Sequence, residues 1–245
     1  MRVLLLGGTA EARALADRLH PTVDIISSLA GRVPDPALPV GPVRVGGFGG
    51  AEGLREWLVG NDITAVVDAT HPFAAGMTAN AATACAKLGM PHLVLSRPPW
   101  DPAGATVVTS DSDAAEVSAA KGYSRIFLTT GRSGVAAFSG SDAWFLIRVV
   151  TEPDAVTLPR NYELLLSRGP YGYDDERELM RSRGIQVLVT KNSGGALTEA
   201  KLDAARDIGV DVVMIARPAL PDGIAVVRSV QDAAAWVLSR DNAAV

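Results

Sequence analysis

Short apolar runs alternate with segments of helical periodicity along the whole chain. Nine runs read as strands: Val3–Leu6, Val23–Ser27, Ala65–Asp68, His92–Ser96, Arg125–Thr129, Phe145–Val150, Glu163–Ser167, Gln186–Val189 and Val212–Ala216. Most are continuously apolar and rich in Val, Ile and Leu, which is how strands covered on both faces read. Between them lie predicted helices at Glu11–Leu19, Glu52–Val59, Phe73–Leu88, Asp113–Lys121, Asp174–Arg183, Leu197–Ile208 and Val230–Ser239. The alternating order predicts parallel sheets and an α/β class. The Pro-rich stretch Arg97-Pro98-Pro99-Trp100-Asp101-Pro102 interrupts the pattern. It predicts a linker, with lobes at 1–98 and 103–245.

Composition narrows the picture. Of 245 residues, 48% are hydrophobic and 20% charged, within the range of ordinary soluble domains. No apolar run approaches the ~18 residues of a membrane span, and MRVLLLGG is too short for a secretory signal, so a cytoplasmic protein is expected. The formal net charge of −4 argues against a general nucleic-acid binder. One cysteine, Cys85, excludes an intrachain disulfide and a thiolate cluster. His20, His71 and His92 lack metal-ligand spacing, so no metal is expected. Oligomeric state is not legible in the sequence.

Candidate chemistry concentrates at predicted strand ends, where open parallel sheets bind ligands. Gly7-Gly8-Thr9 follows the first strand and opens a helix, a geometry suited to phosphate, although Thr9 and Ala12 replace glycines of G-x-G-x-x-G. A tight strand-to-helix turn would use the same residues. The second strand ends in Ser27-Ser28 and is followed by Arg32, with no acid before Asp35. Hydroxyls and a guanidinium suit a 2′-phosphate and so favour NADPH over NADH. Gly46-Gly47-Phe48-Gly49-Gly50 reads either as backbone approaching a ligand or as a loop.

Five predicted strands carry a cation just beyond the carboxyl end: Arg97, Arg132, Arg168, Lys191 and Arg217. In an acidic protein this edge points to a ligand with several carboxylates or phosphates. Solvated strand ends would also tolerate such residues. Thr129-Thr130-Gly131-Arg132 and Thr190-Lys191-Asn192-Ser193-Gly194-Gly195 add hydroxyls and glycines, as anion cradles do. No catalytic-serine elbow or Walker A loop occurs; in TKNSGG the lysine precedes the glycines.

Several motifs in order carry a family resemblance: Gly7–Arg13, Ala30-Gly31-Arg32, Asp68-Ala69-Thr70-His71-Pro72-Phe73-Ala74, Arg97–Trp100, Thr130-Gly131-Arg132, Thr190–Gly194 and Lys201–Arg206. Together the chain resembles the precorrin-6A reductase family of cobalamin biosynthesis, from residue 2 to about 218. The resemblance implies two Rossmann-like lobes with an interdomain cleft. It implies NADPH-dependent reduction of a macrocycle C=C bond to give precorrin-6B. The substrate would be a tetrapyrrole carrying acetate and propionate groups. The cofactor would lie mainly on the N-terminal lobe, along Gly7, Gly8, Thr9 and Ala10, with Ser28 and Arg32 at the 2′-phosphate. Thr70 and Pro72 would lie near the nicotinamide. The substrate would meet Arg97, Thr130, Gly131, Arg132, Arg168, Lys191, Asn192, Ser193 and Gly194. Thr70 is expected to cap the helix after the corner that ends the Ala65–Asp68 strand, and Pro72 to occupy its first turn. His71, with an unperturbed pKa near ~6.5, would orient the cofactor or donate a proton; Lys191 and Tyr171 are further donor candidates. Rival readings are a cobalt-precorrin-6A reductase using NADH, a non-catalytic NADPH-binding sensor, and a transferase using an anionic nucleotide donor.

Overall fold

The computed structural model describes residues 1–31 and 37–241. The chain divides into two compact units: residues 1–98 with 218–245, and residues 99–217. Each is a six-stranded, wholly parallel sheet with helices on both faces.

In the first unit the strands are β1 (Arg2–Leu6), β2 (Asp24–Leu29), β3 (Val43–Val45), β4 (Ala65–Asp68), β5 (His92–Leu95) and β12 (Ala225–Val227), in the order β12-β5-β4-β1-β2-β3. Helices α1 (Ala10–Leu19) and α7 (Val230–Asp241) cover one face, where Leu15, Leu19, Ala234 and Val237 pack on Val3, Leu5 and Val67. Helices α2 (Gly50–Gly60) and α3 (Ala75–Leu88) cover the other through Leu54, Leu58, Ala81 and Ala84 against Leu4, Leu6 and Val66. Alternate residues of one strand thus serve opposite cores, which is why the strands read as unbroken apolar runs.

The second unit holds β6 (Thr106–Val108), β7 (Arg125–Thr129), β8 (Trp144–Val149), β9 (Asn161–Leu166), β10 (Val187–Lys191) and β11 (Asp211–Ile215), in the order β6-β11-β10-β7-β8-β9. Helices α5 (Tyr173–Ser182) and α6 (Ala200–Asp207) cover one face, with Met180, Leu202 and Ala205 against Phe127, Leu146 and Leu188. Helix α4 (Asp111–Ala120) and a 3-10 helix at Arg132–Phe138 belong to the other elements of this unit, and Phe138 meets Phe145 edge-on at 5.6 Å.

Both sheets share one spatial plan. Read from its β3 edge, the first runs third, second, first, fourth, fifth strand of its unit, then a sixth; read from its β9 edge, the second follows the same plan with β7 counted as first. That last strand comes from the C-terminal tail in the first unit and from before β7 in the second. The order reverses between β1 and β4, and between β7 and β10. These are the switch points at which such sheets bind ligands.

Two sequence expectations need correction. Residues after Pro218 do not complete the second lobe. β12 pairs with β5, Val226 opposite Val94, and the Met1 ammonium bonds Asp241 at 2.8 Å. The tail returns because β5 and α1 would otherwise leave apolar surface uncovered. Residues 99–102 are not linker either: Trp100 is 4% exposed in the second core. Three short strands lie beyond those nine read from sequence: β3, which the sequence suggests only as a short run ahead of Gly46, and β6 and β12, which it does not show. At three residues each they are too short for periodicity to register.

Candidate functional site

At the first switch point, β1 ends and Gly7 donates its N–H to Ser28 O at 2.9 Å, so this amide faces β2. Gly8 adopts φ +107°, and an added Cβ there would meet nothing within 4 Å. Thr9 caps α1: its Oγ1 accepts from Ala12 N–H at 3.1 Å and donates to Ala69 O at 2.7 Å. One buried hydroxyl thereby ties the β1 turn to the β4 turn. The N–H groups of Ala10 and Glu11 open α1 without intrahelical acceptors.

β4 ends on Asp68, which is 1% exposed. A buried carboxylate must be satisfied. Its Oδ1 accepts from Thr70 N–H (3.0 Å) and Thr70 Oγ1 (2.6 Å), and its Oδ2 from Thr78 Oγ1 of α3 (2.6 Å). This overturns two expectations. Thr70 does not cap α3, because Asp68 takes its hydroxyl. Pro72 is not in the helix, which begins at Ala75. Pro72 instead occupies a turn closed by Ala74 N–H to His71 O at 2.7 Å, where its fixed φ is favourable. His71 is exposed, and its Nδ1 accepts from Phe73 N–H at 3.3 Å.

Ser28, at the end of β2, is buried, and Arg44 Nη1 donates to its Oγ at 2.9 Å. Arg32 lies outside the described residues. Sequence reasoning missed Arg44; its one signal is an arginine directly ahead of the glycine-rich loop. Arg97, after β5, forms an ion pair with Glu11 of α1 at 2.8 Å.

The second switch point is built differently. Thr130 is buried, and among the described residues neither its Oγ1 nor Asp111 Oδ1 has a hydrogen-bond partner. Both lie against Gly134, where a methyl group would overlap them. Gly131 adopts φ +79°, which turns the chain into the 3-10 helix and sets Arg132 on the surface. Arg132 and Arg168 are exposed, and neither has an ion pair among the described residues. Lys191 ends β10 and pairs with Asp111 at 3.3 Å. Gly194 is buried and Ser193 half-buried in the loop that follows.

That loop is clamped. The Asn192 amide bridges the Trp100 backbone, and Trp100 Nε1 donates to Gly195 O at 3.1 Å. Arg217 Nε donates to Asn192 O at 2.8 Å and Nη2 to Ser193 O at 3.0 Å. Asn192 and Arg217 therefore shape the loop. Beneath it, Lys201 is buried, donates to Thr198 O at 2.6 Å and lies 4.5 Å from the Trp100 ring centroid. Burial pulls its pKa down to about 7. Nearby Arg148 and Glu176 form a buried ion pair, with the Arg148 guanidinium 3.7 Å from the Tyr171 ring centroid. Tyr171 and Ser167 share a hydrogen bond at 3.1 Å. Among the described residues, no cluster of His, Cys, Asp and Glu could hold a metal, and no helix is long and apolar enough to cross a membrane.

Comparison with known proteins adds an independent line. Residues 2–238 match the family model described as "Precorrin-6x reductase CbiJ/CobK". A precorrin-6A reductase of Mycobacterium tuberculosis is 68% identical over 236 residues, covering 96% of this chain and 97% of the relative. One from Rhodococcus erythropolis is 54% identical over 245 residues, covering 96% and 97%. A solved structure titled "CobK precorrin-6A reductase" superposes with a TM-score of 0.88 at 37% identity, covering 98% of this chain and 96% of that one.

Proposed function

The chain belongs to the precorrin-6x reductase family, and from that premise we propose that it reduces precorrin-6A to precorrin-6B with NADPH. The observation that carries this reading is where the motifs fall: they cluster at the carboxyl ends of strands around the two switch points, the positions at which parallel sheets take ligands. Both relatives described above are named for the metal-free ring, which favours it over the cobalt-bearing one.

The first lobe suits a dinucleotide. Gly8 leaves its backbone open to close approach, and the Ala10 and Glu11 amides face the same turn with the positive end of α1 behind them. Ser28, near the end of β2, would meet the adenosine ribose. When bound, NADPH supplies a hydride to one carbon of the reducible bond. Thr9 and Asp68 hold the two turns that flank the reacting region, and His71 stands in the second of them, its Nδ1 accepting from Phe73 N–H.

The second lobe supplies charge. Arg132, Arg168 and Lys191 take ring carboxylates, beside the Thr130–Gly131 turn and the loop at Ser193–Gly194. A proton is added to the neighbouring carbon by an acid or by water. Much of the catalysis rests on positioning and field.

The test is anaerobic turnover of precorrin-6A by the purified protein, with NADPH and NADH in parallel, followed by product mass. A gain of two hydrogens with NADPH preferred supports the reading. Cofactor binding with no mass change would sink it in favour of the sensor.

A further inference from the structure

The ends of β2 and β3 hold a prepared guanidinium that the mechanism above does not use. Arg44 sits opposite Ser28 in the parallel register. Its Nη1 donates to Ser28 Oγ and to Gly46 O, both at 2.9 Å, and its Nη2 to Gly47 O at 3.0 Å. Its Cζ lies 3.8 Å from the Phe48 ring centroid and 5.4 Å from that of Trp57, and those two rings meet edge-on. The side chain is therefore held in one geometry before any ligand arrives, and its rotamer entropy is already spent. Burial lowers its pKa from the ordinary value, which marks partial desolvation.

A guanidinium has five N–H donors. Three are engaged among the described residues, which leaves Nε–H and one Nη2–H for a ligand. Ser28 Oγ accepts from Arg44, so its own proton is left to donate. The neighbourhood also fits. Ser28 O receives the Gly7 N–H, which places this pair directly beside the first βα turn. In sheets of this plan, an acid at the end of the second strand takes the ribose 2′-hydroxyl, and an arginine nearby takes a 2′-phosphate. Here the strand ends in Ser27-Ser28-Leu29.

We propose that Arg44, held by Phe48, Trp57 and Ser28, is the residue that selects a nucleotide bearing a 2′-phosphate. The inference rests on the dinucleotide reading of the first lobe and names its specificity determinant. The glycines of the 46–50 loop have a role in it: Gly46 and Gly47 present the carbonyls that anchor the guanidinium, and no added Cβ at either would meet an atom within 4 Å.

The experiment uses two small probes, 2′,5′-ADP and 5′-AMP, titrated calorimetrically into the full-length protein and into Arg44→Gln, Arg44→Lys and Arg32→Gln. These probes need neither substrate nor turnover, so the proposal and the reductase reading fail separately. The wild-type ratio of the two dissociation constants should collapse roughly 10- to 100-fold in Arg44→Gln. Arg44→Lys, a point charge without the fork, should recover part of it. The proposal is overturned if Arg44→Gln keeps the wild-type ratio, if both probes weaken by one factor (a purely structural role), or if Arg32→Gln alone abolishes discrimination. A wild-type protein binding both probes equally would also overturn it, whatever its reductase activity.

Discussion

Asn192 and Trp100 are joined by a reciprocal pair of hydrogen bonds: Trp100 N–H donates to Asn192 Oδ1 at 2.8 Å, and Asn192 Nδ2 donates to Trp100 O at 3.1 Å. Both residues are buried. The pair fastens the segment entering the second lobe to the loop after β10. Asn192→Ala leaves a buried N–H and a buried C=O without partners. It should lower stability by about 1–3 kcal/mol in urea unfolding and weaken turnover by loosening the loop. Unchanged stability would mean that water replaces the amide.

Arg132 and Arg168 are the exposed cations of the second lobe's strand ends without an ion pair among the described residues. If they take ring carboxylates, Arg132→Ala and Arg168→Ala should each raise the tetrapyrrole KM roughly tenfold, with little change in the NADPH KM. Added salt should weaken substrate binding in the wild type and less so in the double variant. Equal substrate KM in wild type and double variant would remove both residues from the site.

Gly134 lies against Thr130 Oγ1 and Asp111 Oδ1 with no room for a methyl group. Gly134→Ala should cost about 1–3 kcal/mol through overpacking, read as a lowered Tm. It should also disturb Lys191, which pairs with Asp111, and so raise the substrate KM.

Lys201 carries a pH signature. Its pKa is near 7 in the folded protein, against 10.5 ordinarily, because burial disfavours the ammonium. Between those values the unfolded chain binds more protons than the folded one. Stability from this group therefore rises as pH increases from about 7 to 10.5 and is flat below that window. Lys201→Met should flatten the slope in chemical unfolding measured across it. An unaltered slope would assign the pH dependence to other groups.

Cys85 is 2% exposed, and burial, with the nearby Asp68 charge, pushes its thiol up to about 12. Thiolate is the reactive form. Labelling by a thiol reagent at pH 8 should be slow in the native protein and prompt after unfolding. Stoichiometric labelling within seconds would contradict the packing of α3.

The chain's periodicity by itself determined the α/β class, nine of the strands, and the gathering of hydroxyls, glycines and cations at strand ends. Those follow from local order, because strand and helix spacing are written in neighbouring residues. Ala65–Asp68 and Arg125–Thr129 match the observed strands residue for residue. Only the tertiary structure decided which of those strand-end groups remain available. Asp68 claims the Thr70 hydroxyl that the sequence assigns to a helix cap, and Trp100 claims the Asn192 amide. Glu11 pairs with Arg97 across 86 positions of chain. Arg44 joins Ser28, Phe48 and Trp57 only because β3 lies beside β2. The tail's return to β5 is of the same kind. Hydrogen bonds and ion pairs between residues distant in sequence form wherever burial demands a partner, and that demand arises only once the sheets have assembled.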